Sequence, residues 1–244
     1  MRNKGYLTYS PVYSIEDIPH HNSNTIILII HGGCFVGGDA HYDEKLATTL
    51  CSKGYEVIRL SFSTENLDNS TRDITHVMDI LDKRVERKVV MGISSGAFLA
   101  LVALNEFYLK RHYSFIDTFI GLCPVLDPYK RFLHVLDIDD NNNIRDVGVP
   151  SHILAKQLQY FESIENMEKL SMKSYDNHPL HILFISMKCD NQAPPSLVLD
   201  FMSRSKSIFD YELYEGYDHS ICGNPTDDII ERIFSYISNR KFFG

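Results

Sequence analysis

The sequence has no tryptophan, no Cys-x-x-Cys pair and no purely aliphatic run longer than Ile26-Ile27-Leu28-Ile29-Ile30. A membrane-spanning helix needs about 20 apolar residues, so no span is expected. The start, Met1-Arg2-Asn3-Lys4-Gly5-Tyr6, carries two positive charges with no apolar stretch of signal-peptide length behind them. Cys34, Cys51, Cys123, Cys189 and Cys222 are odd in number and widely spaced. That usage argues against a disulfide framework and a structural zinc site, and suits a reducing compartment. Positive charge is short as well: 24 Lys+Arg stand against 32 Asp+Glu, a net charge of −8. Such a field repels phosphate backbones and anionic lipid, which makes nucleic acid and membrane surface poor default partners. The expectation is a soluble cytoplasmic protein.

What is present suffices for a folded core. The 244 residues are 44% hydrophobic and 23% charged, which excludes a largely disordered chain. The aliphatic run at 26–30 reads as a fully buried strand. A glycine-rich stretch at 31–38 follows, then a helical pattern with Leu46, Ala47, Leu50 and Cys51 on one face. Gly54 stands where a left-handed C-terminal cap is expected. Strand patterns recur at 56–62, 88–91, 115–123, 180–186 and 209–214.

Helical patterns lie between them. One starts at Ser70, with Ile74, Val77, Met78 and Leu81 as its stripe and Ser70…Asp73 as a capping-box spacing. The segment 95–104 is apolar nearly all round and is expected to be deeply buried. Leu197, Val198, Phe201 and Met202 mark another, and the last is expected to begin with Asn224 as cap and Pro225 at its first position. The alternation predicts a single α/β domain over 1–244, a mostly parallel central sheet with helices on both faces. A short edge strand is expected within 6–13. Residues 128 to about 175 break the alternation: they are polar, contain Asp139-Asp140-Asn141-Asn142-Asn143, and read as a lid-like insert, helical over Ser151–Phe161.

Two glycine-rich segments carry the chemistry. Gly92-Ile93-Ser94-Ser95-Gly96 lies between a strand and a buried helix, the context in which G-x-S-x-G places a serine on a sharp turn. The bland alternative is a glycine-lined helix start that binds an anion. His31-Gly32-Gly33-Cys34-Phe35-Val36-Gly37-Gly38 directly follows the first buried strand. A loop of this kind can aim backbone N–H groups at a carbonyl oxygen on which negative charge develops. A phosphate loop is the alternative, but the chain has neither G-x-x-x-x-G-K-[ST] nor G-x-G-x-x-G. Asp190 and His219 follow successive later strands, so both fall at the carboxyl edge of the sheet with Ser94. The chain order Ser94, Asp190, His219 is that of hydrolases with a nucleophile elbow.

The chain resembles small α/β-hydrolases of the hormone-sensitive-lipase-like carboxylesterase group, with kynurenine formamidase-like enzymes as close relatives. The resemblance rests on His31-Gly32-Gly33-Cys34 as the oxyanion loop and Gly92-Ile93-Ser94-Ser95-Gly96-Ala97-Phe98-Leu99-Ala100 as the elbow, and spans about residues 25–240. It implies Ser94 as nucleophile, His219 as general base and Asp190 as the acid that fixes the imidazole. The implied oxyanion donors are the backbone N–H groups of Gly33, Cys34 and Ser95. The chain departs from the group in Cys34 for glycine, Ile93 for the aspartate before the nucleophile, and Ser61-Phe62-Ser63 in place of a D-Y-R-type sequence. With 24 residues before the first buried strand, the large N-terminal cap of the lipase-like members is not expected.

Asp218 is a rival acid beside His219, but neighbouring side chains in a loop seldom pair well, which favours Asp190. Ser95 and Ser220 are rival hydroxyls outside the elbow position. His20, His21, His41, His178 and His181 have no metal-ligand spacing. Asp137-x-Asp139-x-Asn141 resembles the start of a calcium loop, yet Asn142 replaces its glycine and Gly148 its closing glutamate. The expected function is hydrolysis of small carboxylic esters through an acyl-enzyme, with no metal or cofactor and a small acyl compound as partner. An arylformamidase and a catalytically silent binding module are the alternatives. A homo-oligomer is compatible with the sequence but does not follow from it.

Overall fold

The computed structural model describes residues 6–7, 14–18, 23–116, 118–136, 149–171 and 180–240. Its strands in chain order are β1 (Tyr6–Leu7), β2 (Ser14–Ile18), β3 (Thr25–Ile30), β4 (Glu56–Ser61), β5 (Arg87–Ile93), β6 (Thr118–Leu122), β7 (His181–Met187) and β8 (Ile208–Tyr214). They form one sheet in the order β1-β2-β4-β3-β5-β6-β7-β8. β3 to β8 are all parallel, while β2 pairs antiparallel with β4 and β1 with β2. The aliphatic run is therefore a central strand, covered on both faces as its lack of alternation predicts.

Successive residues of β3 serve opposite sides, as the two-residue period of a strand requires. Ile26, Leu28 and Ile30 enter one core with the helices α2 (Leu67–Leu81) and α3 (Ser95–Arg111). Ile27 and Ile29 enter the other, with α1 (Glu44–Ser52) and α8 (Asp227–Asn239). α3 is buried almost all along its first ten residues, from Ser95 to Leu104. α7 (Pro195–Arg204) covers the β7 end of the first face through Val198 and Phe201. This is the α/β-hydrolase fold with a parallel sheet flanked by helices.

Boundaries differ from the sequence expectation where local hydrogen bonding decides. α1 ends as expected at Gly54, φ +100, with Gly54 N–H on Cys51 O (3.0 Å) and Tyr55 N–H on Leu50 O (3.3 Å), a Schellman pair. α2 begins three residues before the expected start: Asn66 caps it, its side chain accepting Asn69 N–H at 2.8 Å. Ser70 and Asp73 form no box. Ser70 Oγ donates to Ser63 O, and Asp73 Oδ2 accepts Ser63 N–H at 3.0 Å. α8 starts at Asp227 after Thr226, so Asn224 and Pro225 belong to the connection before it. Tyr6–Leu7 forms an edge strand within the span 6–13 where one is expected, residues 8–13 lie outside the described residues, and the sequence pattern does not predict β2.

The insert contributes α4 (Pro128–Val135), α5 (Ser151–Phe161, as expected) and α6 (Ile164–Ser171). Phe132, Val135, Tyr160, Phe161 and Met167 join the core on the α2–α3 side. Residues 137–148 lie outside the described residues, and with them the calcium-loop resemblance; His20, His21 and His178 lie outside as well.

Candidate active site

Ser94 joins β5 to α3 with φ 51 and ψ −123, a left-handed conformation that strains a residue with a β-carbon. Its N–H donates to Leu122 O (3.0 Å), and its carbonyl accepts Ala97 N–H (3.1 Å) and Val125 N–H (3.0 Å). The turn is so tight that a β-carbon on Gly92 would stand 2.3 Å from Ala97 Cα, and one on Gly96 2.2 Å from Ile30 O. Close approach of main chains is what demands glycine at both positions.

Ser94 Oγ lies 2.9 Å from Nε2 of His219, which opens a 3-10 helix, His219–Gly223. Nδ1 of the same ring lies 2.8 Å from Asp190 Oδ2. Asp190 follows β7 and is almost fully buried; its Oδ1 accepts the N–H groups of Gln192 (2.9 Å) and Ala193 (2.8 Å). Three hydrogen bonds thus satisfy the buried carboxylate. Because Oδ2 can only accept, the network assigns the imidazole proton to Nδ1 and leaves Nε2 to accept from the serine hydroxyl. Asp218, the rival acid, is used elsewhere. Its Oδ1 accepts Ser220 N–H (2.9 Å) and hydroxyl (2.6 Å), and the Ser220 bonds hold its carboxyl below the usual range.

The loop after β3 arches over this turn. Gly33, Cys34 and Phe35 have successive positive φ values of 124, 56 and 72. Phe35 N–H donates to Ser95 Oγ at 3.2 Å, which ties the loop to the start of α3. A β-carbon on Gly32 would lie 3.0 Å from Ser94 Cβ and 3.6 Å from Ser94 Oγ, so the loop passes directly across the serine. His31 braces it: Nδ1 donates to Gly32 O at 2.6 Å and the ring stacks on Phe62 at 4.3 Å. Burial pushes the His31 pKa down, against the Gly32 hydrogen bond, and keeps the imidazole neutral. Ser95 is the first residue of α3, where helical N–H groups have no intrahelical partner.

Sequence reasoning missed Arg131. It comes from α4, is 3% exposed, and donates to no carboxylate among the described residues. Instead Nη1 donates to Gln157 Oε1 (2.9 Å), Nε to Gln192 O (3.2 Å) and Nη2 to Cys34 Sγ (3.8 Å). One side chain from the insert therefore spans α5, the Asp190 loop and the glycine-rich loop. Burial lowers its pKa, with Cys34 and Asp190 opposing. The signal was in the sequence: Arg131 falls on the same buried face of α4 as Pro128, Phe132 and Val135, a cation on an apolar stripe.

A cavity of about 390 Å³ opens at His219, with Tyr42, Asn191, Gln192 and Asp218 among its walls. Burial and the thiols of Cys222, Cys34 and Cys123 push Tyr42 up to about 12. A larger cavity of about 450 Å³ lies between the start of α2 and the α5–α6 pair, and its lining residues include none of Ser94, His219 and Asp190. Among the described residues no helix is long and apolar enough to cross a membrane.

Known structures share this architecture. An esterase/lipase from an uncultured bacterium superposes with a TM-score of 0.74 at 14% identity, covering 96% of this chain and 83% of that one. The Francisella virulence factor BioJ gives 0.77 at 15% identity, with 97% and 84% covered. An alpha/beta hydrolase superfamily protein from Enterococcus faecalis gives 0.71 at 14% identity, with 98% and 99% covered. No protein-family model and no curated protein sequence matches the chain. At these identities the likeness establishes the α/β-hydrolase fold.

Proposed function

We propose that the protein is a serine hydrolase that cleaves small carboxylic esters through an acyl-enzyme. The observation that carries this reading is the unbroken chain from Ser94 Oγ to His219 Nε2 (2.9 Å) and from His219 Nδ1 to Asp190 Oδ2 (2.8 Å), set on a strained strand-to-helix turn. Ser94 attacks the carbonyl carbon as His219 Nε2 takes its proton, and Asp190 stabilises the imidazolium. The backbone N–H groups of Gly33, Cys34 and Ser95 hold the oxyanion. His219 returns the proton to the leaving alcohol, then takes one from the water that releases the acid.

The fold likeness to a protein named as an esterase/lipase supports the reaction class. The cavity at His219, about 390 Å³, is near the lower end of small-ligand sites and supports short acyl groups. Within that class, the His31-Gly32-Gly33-Cys34 loop supports the hormone-sensitive-lipase-like carboxylesterase group. Residues 128–175 act as the lid of a single domain, Arg131 being their anchor to both loops. A cytoplasmic location goes with five free thiols.

A fluorophosphonate probe tests the mechanism. The native protein labels, and Ser94→Ala does not; absent labelling of the native protein, or equal labelling of the variant, sinks the reading. A panel of p-nitrophenyl esters of rising acyl length, with N-formylkynurenine alongside, then reads the substrate class. The expected result is a decline in rate with chain length and no formamide cleavage.

A further inference from the structure

Two thiols converge on the proposed base, one from its own helix and one from the distant end of β6. Cys222 stands three positions after His219 in the 3-10 helix His219–Gly223, where three residues per turn eclipse the side chains of i and i+3. Cys123 directly follows β6; its φ is 45, and its N–H is fixed on Ile185 O at 2.7 Å. A ring nitrogen of His219 and both Sγ atoms lie within 4.8 Å of one another. A single buried thiol is explained as a small hydrophobe. Two thiols gathered on one imidazole form a ligand set of sulfur, sulfur and nitrogen.

We propose that Cys123, Cys222 and His219 bind one thiophilic divalent cation of the zinc type, and that the bound cation arrests hydrolysis. Zinc bonds of about 2.3 Å to sulfur and 2.0–2.1 Å to nitrogen place tetrahedral donors about 3.5–3.8 Å apart. The three atoms, within 4.8 Å of each other, need draw in by about 1.3 Å at most. Both thiols are buried, and of the three ligands it is His219 that lines the cavity of about 390 Å³. The fourth position falls to water or to the Ser94 hydroxyl. On binding, each thiol gives its proton to solvent, two metal–sulfur bonds and one metal–nitrogen bond form, and nothing is oxidised or reduced.

The imidazole has no spare nitrogen for this. Nε2 is engaged by Ser94 and Nδ1 by Asp190, so the cation displaces one of the two. Either displacement breaks the hydrogen-bond chain. The binding site stands on its own geometry; the arrest of hydrolysis rests on the proposed serine mechanism.

Cobalt titration of the metal-free full-length protein tests the site without any assay of activity. One equivalent of Co2+ is expected to give thiolate-to-cobalt charge-transfer absorption with release of two thiol protons, and Zn2+ to displace it. Cys123→Ala and Cys222→Ala should each weaken binding by at least about tenfold, and the corresponding Ser variants serve if either fails to fold. Cys189→Ala should bind as the native protein does, although Cys189 lines the same cavity. Absent thiolate absorption, or absorption lost in Cys189→Ala and kept in the other two, overturns the site. Zn2+ should slow p-nitrophenyl ester hydrolysis by about tenfold or more, reversed by EDTA. Cobalt binding by a protein with no hydrolysis to inhibit upholds the site and refutes the serine mechanism instead.

Discussion

The two halves of the candidate site are held by opposite means. Around Ser94 the main chains approach until no atom can be added. A β-carbon on Gly96 would meet Ile30 O at 2.2 Å and His31 O at 2.4 Å, and four residues nearby, Gly33, Cys34, Phe35 and Ser94, keep positive φ. Around His219 the loops are held by a buried carboxylate that accepts three hydrogen bonds. One half is defined by exclusion of side chains and the other by saturation of a side chain. The first should fail when atoms are added, the second when bonding capacity is altered at constant shape.

The largest effect is expected in the saturated half. Asp190→Asn keeps an oxygen for Gln192 and Ala193 N–H but turns a donor toward His219 Nδ1. That forces the wrong imidazole tautomer, and a change of this kind costs about 10⁴ in kcat. Thermal unfolding should show a Tm close to native beside the lost turnover of a p-nitrophenyl ester. A Tm that falls as steeply as activity would mean the carboxylate serves the fold rather than the tautomer. Gly96→Ala probes the packed half. Overpacking costs about 1–3 kcal/mol, and the obstructing atoms here are backbone oxygens that cannot rotate away. The upper end is expected, about 3 kcal/mol, which lowers Tm by about 6–12 °C. A native Tm for Gly96→Ala would erase the contrast between the halves.

Arg131 connects the halves, and its removal should weaken both to a lesser degree. Arg131→Met keeps length and burial but leaves Gln157 Oε1 and Gln192 O without their donor. The buried Gln157 acceptor left unpaired costs about 1–3 kcal/mol, and the half-buried Gln192 carbonyl less. A loss of about 2 kcal/mol is expected in denaturant unfolding, with reduced kcat because the loop that carries Asp190 loses an anchor. Unchanged stability would show that burying the cation costs as much as its hydrogen bonds return.

The sequence made the sheet legible because a central parallel strand has no polar side to show. Ile26-Ile27-Leu28-Ile29-Ile30 could be little else, and the strand-to-helix context of Gly92–Gly96 marked the turn at Ser94. The carboxyl ends of β7 and β8 located Asp190 and His219, since a parallel sheet sends every such loop to one edge. Contacts between distant segments were not legible: nothing near Arg131 names Gln157 or Cys34, and nothing near Cys123 names Cys222. Helix starts were misread for a related reason. Ser70…Asp73 has a capping spacing, but both side chains turn to Ser63, seven and ten positions back. A capping pattern supplies only a local partner, and tertiary geometry supplied a stronger one.

The smallest expected effect separates those two uses of a polar side chain at the same helix. Asn66→Ala removes a cap whose side-chain oxygen accepts Asn69 N–H, and cap deletions of this type cost about 1 kcal/mol, or about 2–4 °C in Tm. Ser70→Ala removes more: its hydroxyl donates to Ser63 O and accepts from Tyr160 OH at 2.6 Å, which joins α2 to α5 of the insert. Tyr160 would then keep a buried hydroxyl with no acceptor, a cost of about 1–3 kcal/mol. Asn66→Ala should therefore be the milder of the two in denaturant unfolding, and should leave ester turnover unchanged because the cap lies outside both halves of the site. The reverse order would mean that the insert packs on α2 through apolar contact alone and that the Ser70–Tyr160 bond adds nothing. In that case the polar links left between the insert and the body of the molecule would include those of α4: Lys130 on Asp200 Oδ2 (2.7 Å), His134 Nε2 on Asn191 O (3.0 Å) and Arg131.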